Sequence, residues 1–119
     1  MKNLTFIQYP KCSTCRKAAK WLKDNNIEVT SRHIVENNPT EAELAKWVEW
    51  SALSVTKFFN TSGNLYKELN LKDKVNTASK EELITLLASN GMLVKRPVVV
   101  GDKLVIVGFN EEEWAKLLK

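Results

Sequence analysis

The sequence predicts an α/β fold in which a βαβ unit and a ββα unit share one mixed four-stranded sheet, with a block of helices inserted between them. Three observations carry this reading. Apolar patterns alternate in the order β-α-β, helical stretch, β-β-α; the pair Cys12 and Cys15 falls at the first strand-to-helix turn; and Arg96-Pro97 stands immediately before the third strand. Residues 1–119 read as a single domain, with the helical insertion spanning about 39–92.

Leu4-Thr5-Phe6-Ile7 is rich in β-formers and reads as the first strand, followed by the short Gln8-Tyr9-Pro10-Lys11 turn. From Cys15 the apolar positions Cys15, Ala18, Ala19 and Leu22 recur at helical spacing, so Cys12-Ser13-Thr14-Cys15 caps a helix. Asn25-Asn26 turns the chain into a second strand expected over Ile27 to Ile34. Thr40 and Glu43 form a capping-box match that opens a helix with Leu44, Trp47 and Val48 on its apolar face. Val55, Phe58 and Phe59 suggest a further helical turn ending at the loop Asn60 to Asn64, and Leu65, Leu69 and Leu71 continue the apolar thread. Ser79 and Glu82 repeat the capping-box spacing before Leu83, Leu86 and Leu87, and Asn90-Gly91 stops that helix. Strands at Val98 to Val100 and Leu104 to Val107 are joined by Gly101-Asp102-Lys103 as a tight hairpin turn. Asn110, followed by Glu111, Glu112 and Glu113, caps a last helix that carries Trp114, Leu117 and Leu118.

At 119 residues and 44% apolar composition the chain can bury a core without staples. It has neither a secretory leader pattern nor a segment long enough to span a bilayer, so a cytoplasmic location without membrane attachment is the expectation. The net charge of +4 comes from lysines spread along helices, with Arg16, Arg32 and Arg96 as the arginines. That is a solvated surface, and direct nucleic-acid binding is not expected.

Both cysteines of the chain lie in the one motif. At a helix mouth, unpaired N–H groups and the positive end of the helix dipole favour thiolate over thiol, and Lys11, Arg16 and Lys17 add positive charge. Cys12, nearer the open end, is the nucleophile candidate, and Cys15, one turn in, is the resolving thiol that would close a redox disulfide with it. Competing readings exist. A zinc site needs a second ligand pair, and His33 is the one histidine, so no metal is expected. Two cysteines that merely pack suits Cys15, on the apolar stripe, better than Cys12. A permanent structural disulfide across so short a loop gains little chain entropy. Thiol chemistry is the reading that uses both residues.

The element order, the motif position and Arg96-Pro97 together point to a thioredoxin-like fold, in which the corresponding X-Pro bond is cis and faces the cysteines; Pro97 is therefore expected to be cis. Three segments, Tyr9 to Ala18, Lys95 to Val100 and Val107 to Glu113, resemble the arsenate reductase-like family that also contains the Spx and MgsR transcription regulators. The resemblance runs along essentially the whole chain. It implies Cys12 at the nucleophile position and Arg96 at the place of an arginine that holds the oxyanion. The stretch Phe58 to Gly63 followed by Tyr66 and Leu69 resembles a less characterised branch of that family. There are departures: Asn60 stands where a central-helix arginine is found, no arginine occurs between Leu104 and Phe109, and Cys15 supplies a second thiol that the reductases borrow from glutathione.

Three functions stay open on these residues. The first is a thiol oxidoreductase acting on arsenate or another small oxyanion or disulfide. Cys12 would attack, Cys15 would resolve, and Ser13 and Thr14 N–H groups with Arg96 would stabilise the anion, with Lys11, Asn60 and Pro97 completing the substrate site. It would carry no bound cofactor and would depend on an external thiol reductant such as glutathione with glutaredoxin, or thioredoxin. The second is an Spx-like redox-switched regulator that binds RNA polymerase through its α subunit. The third is a small interaction domain that makes no use of its cysteines. His33, Trp47, Trp50, Trp114 and the glutamate run Glu111 to Glu113 read as packing, surface or helix-end residues.

Overall fold

Successive side chains of a strand face opposite sides of its sheet, and that period divides the core of this protein in two. The computed structural model describes residues 4–119. Strands β1 (Thr5–Gln8), β2 (Thr30–His33), β3 (Val98–Val100) and β4 (Val105–Val107) form one mixed sheet in the order β2-β1-β3-β4. β1 runs parallel to β2 and antiparallel to β3, and β4 is antiparallel to β3. Helix α1 (Ser13–Asp24) makes the crossover from β1 to β2. Between β2 and β3 lie α2 (Glu41–Ser51), a 3-10 turn (Val55–Phe58), α3 (Asn64–Glu68), α4 (Leu71–Lys74), α5 (Lys80–Ser89) and a second 3-10 turn (Gly91–Leu93). Helix α6 (Glu111–Leu118) follows β4. This is the thioredoxin-like architecture, with the helical block inserted where expected.

Phe6, Val99 and Ile106 form one cross-strand row. They pack with Ala18 and Leu22 of α1 and with Trp114 and Leu118 of α6. Ile7 and Val98, one residue along, face the other way and join Leu44, Trp47, Phe58, Leu87 and Leu93 of the insertion. The central strand β3 is therefore apolar on both faces, which is why it reads as an unbroken valine run. Trp114 is fully buried, meets Phe6, Trp21 and Phe109 edge to face, and donates its Nε1–H to the Gly108 carbonyl at 3.1 Å.

Several boundaries differ from the sequence expectation, each for a local reason. β2 starts at Thr30, three residues late, because Ile27 N–H still donates to the Leu22 carbonyl at 2.9 Å as the chain leaves α1 through a left-handed Asn26. Leu104 belongs to the turn, where its carbonyl accepts from Gly101 N–H at 2.8 Å, so β4 begins at Val105. The apolar thread does not hold at Leu69, which is 48% exposed: α3 ends before it, and a left-handed Asn70 redirects the chain into α4. Leu117 likewise faces solvent, and Leu86 is half-buried. Thr40 and Glu43 complete a reciprocal capping box, whereas Ser79 accepts from Glu82 N–H without the return bond. Gly91 is needed for close approach: a Cβ there would stand 1.9 Å from the Ile34 carbonyl oxygen.

Glu43 does more than cap. Its carboxylate takes the Arg32 guanidinium in a two-pronged pair, at 2.7 and 2.9 Å, while Arg32 Nε donates to the Asn37 carbonyl at 2.9 Å. Edge strand β2, the loop after it and α2 are thus fastened at one point. Hydrogen bonding from Arg32 is the chief cause that holds the Glu43 carboxyl down at about 2. Its folded-state value lies below the unfolded one, so the pair contributes stability that is present above pH 4.5 and lost as the pH falls to about 2. Replacing Glu43→Gln is expected to cost about 1 kcal/mol at neutral pH, a modest value because the pair is partly open to solvent. Urea unfolding across a pH series should show the gap between the two proteins closing below pH 4.5, and a gap unchanged down to about pH 2 would contradict the assignment.

Candidate active site

The turn after β1 is closed by Cys12 N–H donating to the Tyr9 carbonyl at 2.9 Å, and Cys12 then becomes the extended N-cap of α1, its carbonyl accepting from Arg16 N–H at 3.1 Å. The Cys12 side chain closes no capping bond of its own; the N–H groups of Thr14 and Cys15 act on its sulfur as nearby dipoles. One turn in, Cys15 is 1% exposed on the same stripe as Ala18 and Leu22. Tyr9 N–H donates to its Sγ at 3.5 Å. Both cysteines are free thiols.

The opposite wall comes from distant sequence. Phe59 and Val94 form an isolated antiparallel bridge, flanked by Asn60 N–H donating to the Leu93 carbonyl at 2.8 Å and Lys95 N–H donating to the Phe58 carbonyl at 2.7 Å. This lock carries Asn60, Lys95 and Arg96 to the mouth of α1. The Arg96-Pro97 bond is cis, as the sequence predicts, and the Pro97 carbonyl accepts from Gly108 N–H at 2.8 Å. The Arg96 guanidinium lies 5.1 Å from the centre of the Tyr9 ring and donates from Nη1 to the Met92 carbonyl at 3.5 Å. Its Nε is shut from solvent with no acceptor among the described residues. The Tyr9 ring is in turn met edge-on by His33 at 5.7 Å.

These walls enclose an open cleft of about 890 Å³. Of the residues singled out from the sequence, Cys12, Thr14, Asn60 and Arg96 line it together. Cys15 and Pro97 are buried and do not line it. Lys11 and Ser13 are exposed and do not line the cleft, so of the two N–H groups proposed for anion binding only the Thr14 side is brought to it. His33 forms no part of the lining: its Nδ1 accepts from the Val35 and Glu36 N–H groups at 3.1 Å each. Lys95, Glu68 and Glu113 line the cleft and were not signalled as functional by any motif, nor was Tyr9 as the partner of Arg96. No cluster of three or more metal-ligating side chains occurs among the described residues.

The two sulfurs are held in opposite states. Partial burial on its own would raise the Cys12 thiol; the facing Cys15 N–H and thiol, the Arg96 guanidinium and the Thr14 N–H outweigh it, and Cys12 is lowered. Burial pushes the Cys15 thiol up to about 12, and the neighbouring Cys12 sulfur adds to the rise against the pull of Tyr9 N–H and Arg96. Of the two sulfurs, Cys12 is the more easily ionised, and Cys15 keeps its proton near neutral pH.

Comparison with known proteins shows the family. The ArsC family matches the chain over residues 7–117. The chain belongs to that family. It is 50% identical over 112 residues to YusI of Bacillus subtilis (strain 168), covering 94% of this chain and 95% of that one. To the regulatory protein MgsR of the same organism it is 34% identical over 118 residues, covering 99% and 92%. The crystal structure of an ArsC family related protein from Bacteroides fragilis superposes with a TM-score of 0.94 at 59% identity over 97% of both chains.

Within this ArsC-family cleft Arg96 is the cation that acts on the Cys12 sulfur, and Asn60, beside it on the same wall, offers an amide and no charge. Thiolate absorbance followed through a pH titration should place Cys12 below the ordinary thiol value of 9.0. Arg96→Met should move it upward, since a favourable interaction with the thiolate is removed. An identical Cys12 titration in both proteins would show that Arg96 does not act on the sulfur.

Proposed function

We propose that the protein is a thiol-dependent oxidoreductase in which Cys12 is the nucleophile and Cys15 the resolving thiol. The observation that carries the reading is the division of labour between two sulfurs one turn apart, one lowered at the helix mouth in an open cleft, the other buried and raised to about 12. With a disulfide R–S–S–R, the Cys12 thiolate attacks one sulfur, forms Cys12–S–S–R and expels RS⁻. That bond removes the charge on Cys12, and with it the part of the Cys15 rise that Cys12 causes, while Tyr9 N–H and Arg96 remain to favour a Cys15 thiolate. Cys15 loses its proton to solvent, attacks the Cys12 sulfur, releases the second RS⁻ and leaves the Cys12–Cys15 disulfide. Two electrons have passed from protein to substrate, and an external thiol such as glutathione with glutaredoxin, or thioredoxin, returns them. With arsenate, Cys12 would bond to arsenic with loss of water, and closure of the disulfide would release arsenite. The order of events follows from the electrostatics, since Cys15 is held back until Cys12 is capped.

A second reading has its own support: the 34% identity to a regulatory protein along nearly the whole chain. There the same disulfide would serve as a switch for binding RNA polymerase, with no turnover required.

Steady-state reduction of arsenate and of low-molecular-weight disulfides, coupled to glutaredoxin or thioredoxin, separates the two. Cys12→Ser is expected to abolish turnover, and Cys15→Ser to stop it after one exchange with substrate held on Cys12 as a mixed disulfide visible by mass spectrometry. Absence of turnover by the unaltered protein with every oxidised substrate, together with oxidation-sensitive capture of the polymerase α subunit, would overturn the enzyme reading in favour of the regulator.

A further inference from the structure

We infer that Lys95 is a specificity-determining residue of this cleft, a second cation that recognises a carboxylate on the thiol-reactive substrate while Arg96 attends to the Cys12 sulfur. The inference rests on the reading of Cys12 as nucleophile. Lys95 and Arg96 are the cations that line the cleft among the described residues. Arg96 is committed: it stacks on Tyr9, donates to the Met92 carbonyl and faces Cys12. A substrate that brings its own negative charge therefore needs another partner, and Asn60 supplies none.

Lys95 is built for that part from both ends. Its backbone is fixed by the 2.7 Å bond from its N–H to the Phe58 carbonyl, in the same lock that sets Arg96. Its side chain lies along Gly108, where a Cβ would come within 3.1 Å of Cε, 3.8 Å of Nζ and 4.0 Å of Cδ. Gly108 has φ of +80°, a conformation suited to glycine, and is held between the Pro97 carbonyl and Trp114 Nε1. The bare Cα thus leaves a shelf on which the aliphatic stem rests and the ammonium is delivered into the cleft. Glu68 and Glu113 line the same space, yet neither forms an ion pair with Lys95 among the described residues. Lys95 is exposed, and its ammonium has no ion-pair partner among the described residues. A carboxylate is the matching group for that ammonium.

Alkylation of Cys12 tests this without requiring turnover. Iodoacetate carries a carboxylate and iodoacetamide a neutral amide of the same shape; in each case the Cys12 thiolate displaces iodide and forms a carbon–sulfur bond. The ratio of the two rate constants, with the adduct located on Cys12 by peptide mass spectrometry at low salt, reports the charge felt by the incoming group. Lys95→Met is expected to lower the iodoacetate-to-iodoacetamide ratio about fivefold, the effect of one unit charge some 4 Å away in a water-like medium, and Lys95→Arg to retain it. The rate with iodoacetamide alone should be little changed. An unchanged ratio in Lys95→Met, with both reagents still reacting at Cys12, would overturn the role of Lys95 and leave the nucleophile standing. Failure of the unaltered protein to react at Cys12 with either reagent would overturn the nucleophile and this inference together.

Discussion

A three-residue lock between Phe58–Asn60 and Leu93–Lys95 is the constraint on which the site depends. Two short backbone bonds, 2.8 and 2.7 Å, flank the Phe59 and Val94 bridge and tie the start of β3 to the middle of the inserted helices. Phe58, Phe59, Leu93 and Val94 are all buried, so the lock is sealed from competing water by the core it belongs to. Its free edge presents Asn60, Lys95 and Arg96 to the end of α1, which the sheet positions independently through β1. Two parts of the chain that have no local reason to meet are brought face to face, and the cleft is the space between them.

What that space does follows from unequal treatment of like groups. Cys12 and Cys15 differ by one helical turn, and that turn takes the sulfur from the open N-cap to the apolar stripe. The helix end and Arg96 favour charge on the first, and burial suppresses it on the second. A comparable division separates the two cations, Arg96 pressed on Tyr9 beside the sulfur and Lys95 laid out along Gly108. Both cations line the same cleft as Cys12.

The parts of this account that were legible in the sequence are those that act locally. The cysteine spacing, the Thr40 and Glu43 box and the proline at the head of β3 each declare themselves within a few residues, and the structure places each as read. The β-rich runs at β1, β3 and β4 were legible too, and the structure makes each a strand of the one sheet. The insertion was harder, because α3 and α4 are five and four residues long, too short for a period to show, and Leu69 lies on solvent despite its apolar side chain. Lys95, Glu68 and Glu113 look like any surface charges in sequence. They acquire a place only when the lock brings their segments together. Adjacency to Cys12 pointed to Lys11 and Ser13 as well; Lys11, in the turn before α1, and Ser13, the first residue of α1, are exposed and do not line the cleft.

The central claim is that the two thiols act in sequence, and a stoichiometric reaction examines it most directly. Reduced protein mixed with one equivalent of a symmetrical low-molecular-weight disulfide, with no recycling system, should release two equivalents of product thiol. It should end as an intramolecular Cys12–Cys15 disulfide, with Tyr9 N–H and Arg96 still beside the oxidised pair. Mass spectrometry of the quenched mixture would show a transient adduct on Cys12 giving way to that disulfide. A persistent adduct on Cys12 with a single thiol released, or first attachment of the substrate at Cys15, would contradict it.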